Sequence, residues 1–91
     1  MSHVNAERAK LLTRVRKIRG QADGLEKLLS TETECSKVLQ QISALRGAVN
    51  GLMNEVLEDH LREHLGNSDL SADERAAEVD DVVKILRSYM K

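Results

Sequence analysis

The sequence predicts an all-α protein, and composition, periodicity and capping motifs each support that class. The chain has 91 residues with no proline, tryptophan or phenylalanine and one tyrosine, a composition typical of long amphipathic helices rather than of sheet. Apolar residues recur with helical spacing, and turn and capping sequences divide the chain into three segments. We therefore expect a single domain over residues 1–91, in which two long antiparallel helices form a hairpin and a shorter third helix follows.

The first helix is predicted to run from about Asn5 to Leu29. Its apolar positions are alternately four and three residues apart, which is a heptad-like seam. The stretch STETEC interrupts this pattern, and Thr31 with Glu34 fits a capping box that starts the next helix. The residues of the seam are Leu11, Val15, Ile18, Ala22, Leu25 and Leu29.

The second helix is predicted to run from about Glu32 to Leu65, where the following Gly-Asn pair acts as a C-terminal cap. Its buried stripe is predicted to contain Val38, Ile42, Leu45, Val49, Leu52 and Val56. A second capping box, SADE at residues 71–74, predicts the third helix, which continues to about Met90. The inward positions of that helix are predicted to be Val79, Val82, Val83, Leu86 and Tyr89.

Positive charge is concentrated near the N-terminal end of the chain, although the net charge of the whole chain is −1. The run RVRKIRGQ at residues 14–21 is expected to turn Val15 and Ile18 toward the core and its charges outward. A solvated helix face is one explanation of such a run, but its concentration in an otherwise acidic chain favours a polyanion such as DNA. The residues predicted to contact phosphate or a base edge are Arg14, Arg16, Lys17, Arg19, Gln21 and Arg46.

Two histidines lie four residues apart in the stretch DHLREHLG, at residues 59–66. His60 and His64 share one helix face and can bind one metal ion, although solvated or capping histidines are the commoner explanation of such a pair. With Glu63 they also match H-x-x-E-H, a pattern found in zinc peptidases. Because a peptidase needs a third protein ligand and a substrate cleft, which a short helical chain hardly offers, we expect no enzymatic activity.

The predicted register relates these histidines to the single cysteine. Cys35 opens the second helix and His60 lies near its end, about 37 Å away along one helix. The two residues can meet only between chains, if the second helices of a dimer pair antiparallel around residue 48. A hairpin turn near residues 31–32 then places His3 opposite His60 of its own chain. The centre of the second helix contains small residues that allow close approach: Ala44, Gly47, Ala48 and Gly51.

Imidazole and thiolate groups from two chains therefore form a predicted inter-subunit metal site. This nitrogen-rich donor set suits Ni(II), Co(II) or Zn(II) better than Cu(I) or Mg(II). The amine of Ser2, exposed once Met1 is removed, is a further candidate ligand. Six-coordinate binding through that amine and His3 favours Ni(II) or Co(II), whereas tetrahedral binding without His3 favours Zn(II). Carboxylates beside the ligands are predicted at Glu34 and Glu63. The predicted ligands are His3, His60 and His64 of one chain and Cys35 of its partner.

Three stretches, LTRVRKIRGQ (12–21), VLQQISALRGAVNGLMNEVLEDHLREH (38–64) and VVKILRSYMK (82–91), carry a family resemblance. The chain resembles the CsoR/RcnR family of small all-helical bacterial repressors over nearly its whole length. The resemblance implies a disc-shaped tetramer, a dimer of dimers, which binds operator DNA without its effector and releases the DNA when the effector binds. The single cysteine and the lack of a long apolar span favour a cytoplasmic protein that does not enter a membrane.

The sensing positions of that family read His3, Cys35, His60 and His64 in this chain, which is similar to the nickel/cobalt-responsive branch. Copper(I) sensors carry a second cysteine in place of His64, and persulfide sensors carry a cysteine in place of His60. The formaldehyde-responsive branch has an N-terminal proline where this chain has Ser2, but LTRVRKIRGQ is closer to that branch. We therefore predict a repressor released by Ni(II) or Co(II). The alternatives are a formaldehyde-responsive repressor acting through Cys35 and the N-terminal amine, and a Zn(II)-responsive repressor.

Overall fold

The protein is a three-helix protomer in the computed structural model, as the sequence predicts. The structure describes the backbone of residues 2–66 and 69–90, and the side chains of residues 7–64, 66 and 69–90. The helices are α1 (Ser2–Leu29), α2 (Cys35–His60) and α3 (Ala72–Tyr89), and a π-helical turn (Leu61–Leu65) follows α2. The chain forms two compact units, residues 1–56 and residues 57–91. The first unit contains the hairpin of α1 and most of α2, and the second contains the end of α2, the π-helical turn and α3.

The turn between α1 and α2 differs from its prediction. The hydroxyl of Ser30 donates to the carbonyl of Glu26 at 2.8 Å, and the hydroxyl of Thr31 donates to the carbonyl of Leu28 at 3.1 Å. Both hydroxyls thus add a second hydrogen bond to carbonyls of the last turn of α1, which also accept the main-chain amides of Ser30 and Thr31. The predicted capping box at Thr31 is therefore wrong, and α2 begins at Cys35 rather than at residue 32.

The hairpin has the predicted antiparallel register near its turn. A turn near residues 31–32 places Gln21 opposite residue 42. The side-chain amide of the neighbouring Gln41 donates to the main-chain carbonyl of Gln21 at 3.4 Å. Most half-buried residues of α1 lie three or four residues apart, as expected of one helix face. They include polar as well as apolar side chains: Leu11, Arg14, Ile18, Gln21, Leu25 and Leu28.

Much of the apolar seam predicted from sequence lies on the outside of the hairpin. The predicted core residues of the hairpin that remain exposed in the single chain are Val15, Ala22, Leu29, Ile42, Val49 and Val56. Val82 of α3, at 7% exposure, is the only buried residue among the described side chains. The inward orientation predicted for Val79, Val83 and Tyr89 is therefore wrong within one chain. A chain that leaves so much apolar surface in water is typical of a subunit that buries it against further chains.

The second unit is organised around a π-helical turn and a well-capped helix. The amide of Gly66 donates to the carbonyl of Leu61 at 3.1 Å, so the regular helix predicted to residue 65 widens after His60. A Cβ at Gly66 would lie 2.7 Å from the carbonyl oxygen of Arg62, which explains why glycine ends this turn.

The predicted capping box at the start of α3 is confirmed. The amide of Glu74 donates to the Ser71 hydroxyl at 3.1 Å, and the amide of Ser71 donates to the Glu74 carboxylate at 2.9 Å. These bonds satisfy two amides that otherwise lack a helical partner. None of the helices in the described part of the chain has the length and apolar character needed to cross a membrane.

Candidate metal centre and nucleic-acid interface

His60 and His64 lie side by side, as their spacing predicts. Their ring centroids are 4.4 Å apart and the rings are tilted by 30°. His60 is the last residue of α2, and His64 lies in the π-helical turn that follows. The widened turn keeps the two imidazoles adjacent, so that two nitrogen donors are available from one short segment.

Glu78 of α3 adds a carboxylate that was not predicted from the sequence. Its Oε2 lies 3.4 Å from Nε2 of His60, and both side chains are about one-third exposed. A carboxylate next to one nitrogen of an imidazole fixes the orientation of the ring and leaves the other nitrogen for a ligand, which is common among metal-binding histidines. Glu78 lies four residues before the buried Val82, and this helical spacing was the only signal in the sequence that places it on the inner face of α3.

These residues fit part of the predicted metal site. The two imidazoles and the carboxylate provide donors of the type that Ni(II), Co(II) and Zn(II) accept. Within the described part of one chain, no group of three or more His, Cys, Asp or Glu side chains is arranged to hold a metal ion. The predicted metal site would therefore need ligands beyond the described side chains of one chain.

The other predicted ligands are placed as follows. Cys35 is the first residue of α2, and its free thiol is exposed. The side chains of Ser2 and His3 lie outside the described residues, although both positions belong to α1. Glu34 is exposed immediately before α2, and Glu63 is half-buried in the π-helical turn. The meeting of Cys35 with the histidines of another chain remains a prediction.

Most of the predicted DNA-contacting cations face solvent. Arg16, Lys17 and Arg19 are exposed on α1, and Arg46 is exposed on α2. Exposed cations along one helix are suited to contact successive phosphates, since phosphate contacts require charge and reach rather than a formed pocket.

Arg14 instead turns toward α2, at the edge of the hairpin. Its Nε donates to Oε2 of Glu55 at 2.9 Å and its Nη2 donates to Oε1 at 3.1 Å, which is a two-pronged ion pair. This hydrogen-bonded guanidinium is the main cause that lowers the pKa of Glu55 below its ordinary value, with a smaller contribution from the charge of Lys10. The expectation that all charges of the basic run point outward is therefore wrong for Arg14, because residues 14, 18 and 21 share one helix face.

Gln21 also lies on the inner face of the hairpin. Its Oε1 is buried and has no hydrogen-bond partner among the described residues, and its main-chain carbonyl accepts from Gln41. An amide in this position does not point to the outer surface of α1. The predicted contact of Gln21 with DNA remains untested.

Comparison with known proteins places these features in one family. Residues 7–88 match the family described as metal-sensitive transcriptional repressors. The chain is 47% identical to the transcriptional repressor RcnR of Salmonella paratyphi B (strain ATCC BAA-1250 / SPB7). This match covers all 91 residues of the chain and the full length of that protein. The chain is 54% identical, again over both full lengths, to a Serratia marcescens protein named for its position in the bioA 5′ region.

A solved structure shows the same fold. It is a variant of the formaldehyde-responsive regulator FrmR from Salmonella enterica serovar Typhimurium, with a TM-score of 0.84 and 44% identity. The match covers 92% of this chain and 94% of that chain.

The chain therefore belongs to the metal-sensitive transcriptional repressor family. It is an effector-sensitive transcriptional repressor, whose function implies binding to operator DNA, and it is not an enzyme. The family resemblance predicted from sequence is confirmed. The similarity to both RcnR and FrmR confirms the repressor class and leaves the effector to be assigned from the residues of the site.

Proposed function

We propose that this protein is a repressor that binds operator DNA in its effector-free form and is released by Ni(II) or Co(II). The observation that carries the proposal is the pair of adjacent imidazoles, His60 and His64, with Glu78 next to His60. In the proposed site, His3 joins them from the same chain and Cys35 is supplied by the partner chain. The amine of Ser2 completes a higher coordination number.

The proposed site requires an oligomer. The exposed apolar residues of both helices of the hairpin support one, because isolated soluble chains rarely leave such surface in water. A methyl group added at Gly47 would have no described atom within 4 Å, so the centre of α2 is open to another helix. We propose an antiparallel α2–α2 dimer around residue 48, two of which form a disc-shaped tetramer.

The donor set supports the choice of metal. Three imidazoles, one thiolate and one amine form a nitrogen-rich set of intermediate softness, which suits Ni(II) and Co(II). Zn(II) is the alternative if the site is tetrahedral and omits His3. The geometry of the liganded site thus decides between these effectors.

The position of α1 links such a site to DNA. His3 and the exposed cations Arg16, Lys17 and Arg19 belong to the same helix. When His3 takes its place beside His60 and His64, the N-terminal end of α1 is fixed, which moves these cations relative to the DNA phosphates. The affinity for DNA falls because the phosphate contacts no longer match. Thermodynamic linkage requires that DNA weaken effector binding by the same factor.

A formaldehyde-responsive repressor is the second candidate. The exposed thiol of Cys35 and the similarity to the FrmR structure favour it. In that mechanism the aldehyde carbon forms a methylene bridge between the thiol sulfur and the amine nitrogen of Ser2, and one water molecule leaves. This reaction needs neither His64 nor a metal.

The variant His64→Ala separates the two candidates. Effector-free protein is used to select an operator from random duplex DNA, and release from that operator is measured with Ni(II), Co(II), Zn(II), Cu(I) and formaldehyde. We expect Ni(II) or Co(II) to release the native protein from the operator and not to release His64→Ala. Release of both proteins by formaldehyde alone would assign the protein to the aldehyde-responsive class. Cys35→Ala is the shared control, because it should abolish release under either mechanism.

A further inference from the structure

Arg14 belongs to α1, the helix proposed to bind DNA, but its guanidinium is paired with Glu55 of α2. The two hydrogen bonds use Nε and Nη2 of the guanidinium, at 2.9 Å and 3.1 Å. The Arg14 side chain is 43% exposed and the Glu55 side chain 26% exposed, so the pair lies at the edge of the hairpin rather than in its interior. Arg14 is thus close enough to the surface to reach a phosphate once it leaves Glu55.

Gly51 of α2 lets the guanidinium lie against the helix. A Cβ at position 51 would be 2.9 Å from Nη1 of Arg14, a distance too short for two unbonded atoms. All three guanidinium nitrogens therefore face α2: two are bonded to Glu55 and the third lies over Gly51. The same two-pronged edge that binds the carboxylate is the one that best binds a phosphate, so Arg14 cannot engage both in this way.

We propose that Glu55 is a positioning residue that holds Arg14 on α2 and thereby lowers the affinity of the repressor for DNA. A phosphate must take Arg14 from Glu55. Because the cost of separating the pair is subtracted from the gain, this phosphate contact is only partly made in the native protein. Arg16, Lys17 and Arg19 are exposed and have no ion-pair partner among the described residues, so the same cost does not apply to them. The inference rests on the proposed DNA-binding role of α1 and adds a residue of α2 that sets its strength.

The physical size of the effect follows from the exposure of the pair. Partly exposed ion pairs contribute modestly, so releasing Arg14 should raise DNA affinity by about threefold to fivefold. Each additional phosphate contact should also steepen the dependence of log affinity on log salt by about 0.9 for every protomer in contact with DNA. A residue with a merely structural role would not change the salt slope in this direction.

The test measures binding of effector-free protein to a fluorescent duplex DNA of mixed sequence, over a series of KCl concentrations. Glu55→Gln removes the charge, whereas Glu55→Asp keeps the charge but withdraws the carboxylate by one methylene. Both variants are made in the native and the Arg14→Ala background. Asp23→Asn, which removes one acidic charge from the exposed surface of α1, is the matched control for general electrostatic attraction. Circular dichroism and sedimentation establish that each variant folds and assembles like the native protein.

We expect both Glu55 variants to bind DNA more tightly and with a steeper salt slope, and to lose this gain in the Arg14→Ala background. Equal or weaker binding by Glu55→Gln would overturn the inference. An equal gain in DNA affinity in the native and the Arg14→Ala background would also overturn it. The same holds for a gain that is seen with Glu55→Gln but not with Glu55→Asp and that Asp23→Asn matches. Failure of the proposed function is distinct, because the native protein and every variant would then lack salt-sensitive DNA binding, which would overturn both proposals.

Discussion

The protonation of Glu55 affects the hairpin because this carboxylate pairs with Arg14 across the two helices. The hydrogen-bonded Arg14 guanidinium lowers the pKa of Glu55 below its ordinary value of 4.5. Because the pKa is lower in the folded than in the unfolded chain, the ion pair stabilises the folded chain at any pH above the unfolded value. This contribution is lost as the pH falls through the folded value.

The acid dependence of unfolding tests this pair in the free protein. We expect Glu55→Gln to lower the thermal midpoint at neutral pH, and the difference from the native protein to shrink as the pH falls below 4.5. Circular dichroism at one fixed protein concentration measures both midpoints, since assembly makes the midpoint depend on concentration. A difference that stays constant from neutral to acidic pH would show that the ionised pair does not form in solution.

The orientation of single polar residues was only partly predictable. The sequence correctly predicts exposed charges at Arg16, Lys17 and Arg19, because these positions lie outside the apolar seam of α1. It does not predict Arg14 and Gln21 on the inner face, because a seam defined by apolar residues ignores polar side chains at the same spacing. A long polar side chain can occupy such a position when the facing helix offers an opposite charge or a glycine. Only the three-dimensional pairing of the helices reveals that partner.

At the scale of elements, the N-terminus of α3 depends on Ser71. Its hydroxyl accepts from the amide of Glu74, and the Glu74 carboxylate accepts from the amide of Ser71. We expect Ser71→Ala to destabilise the folded protein by about 1 kcal/mol, as for other N-terminal caps. Ser88→Ala, an exposed serine near the other end of the same helix, should have a negligible effect. Chemical unfolding of the two variants measures the difference, and equal stabilities would contradict the capping role.

Two exposed glycines in different helices test the proposed contact between α2 helices. Neither Gly20 of α1 nor Gly47 of α2 has a described atom within 4 Å of the position of an added Cβ. Gly20→Ala should therefore stabilise α1 by about 0.8–1 kcal/mol through helix propensity alone. Gly47→Ala should instead weaken assembly, because the added methyl group would separate two closely packed helices. Sedimentation velocity of both variants checks this, and normal assembly of Gly47→Ala would contradict a dimer centred near residue 48.

The elements themselves were largely predictable, whereas their ends were not. Helical spacing and the SADE box predict three helices, and the structure confirms all three. The Thr31 box fails because the hydroxyl of Thr31 serves the end of α1 rather than the start of α2. The π-helical turn has no signature in the sequence, because the same residues have the spacing of a regular helix.

At the scale of the whole molecule, the exposed apolar face and the proposed metal site both require association of chains. Among the described residues, one chain buries only Val82, and its two adjacent imidazoles and the Glu78 carboxylate are not arranged to hold a metal ion by themselves. Association of chains would bury the apolar face and supply Cys35 to the histidines. The sequence predicts this arrangement from register alone, and its proof requires the assembled protein.

The most direct test of the central proposal measures Ni(II) and Co(II) affinity with and without saturating operator DNA. If effector binding and DNA binding are coupled, operator must weaken metal binding by the same factor by which metal weakens operator binding. We predict a loss of metal affinity of about 5-fold to 150-fold, the usual range of such coupling. Equal metal affinity in the presence and absence of operator would contradict a metal-released repressor.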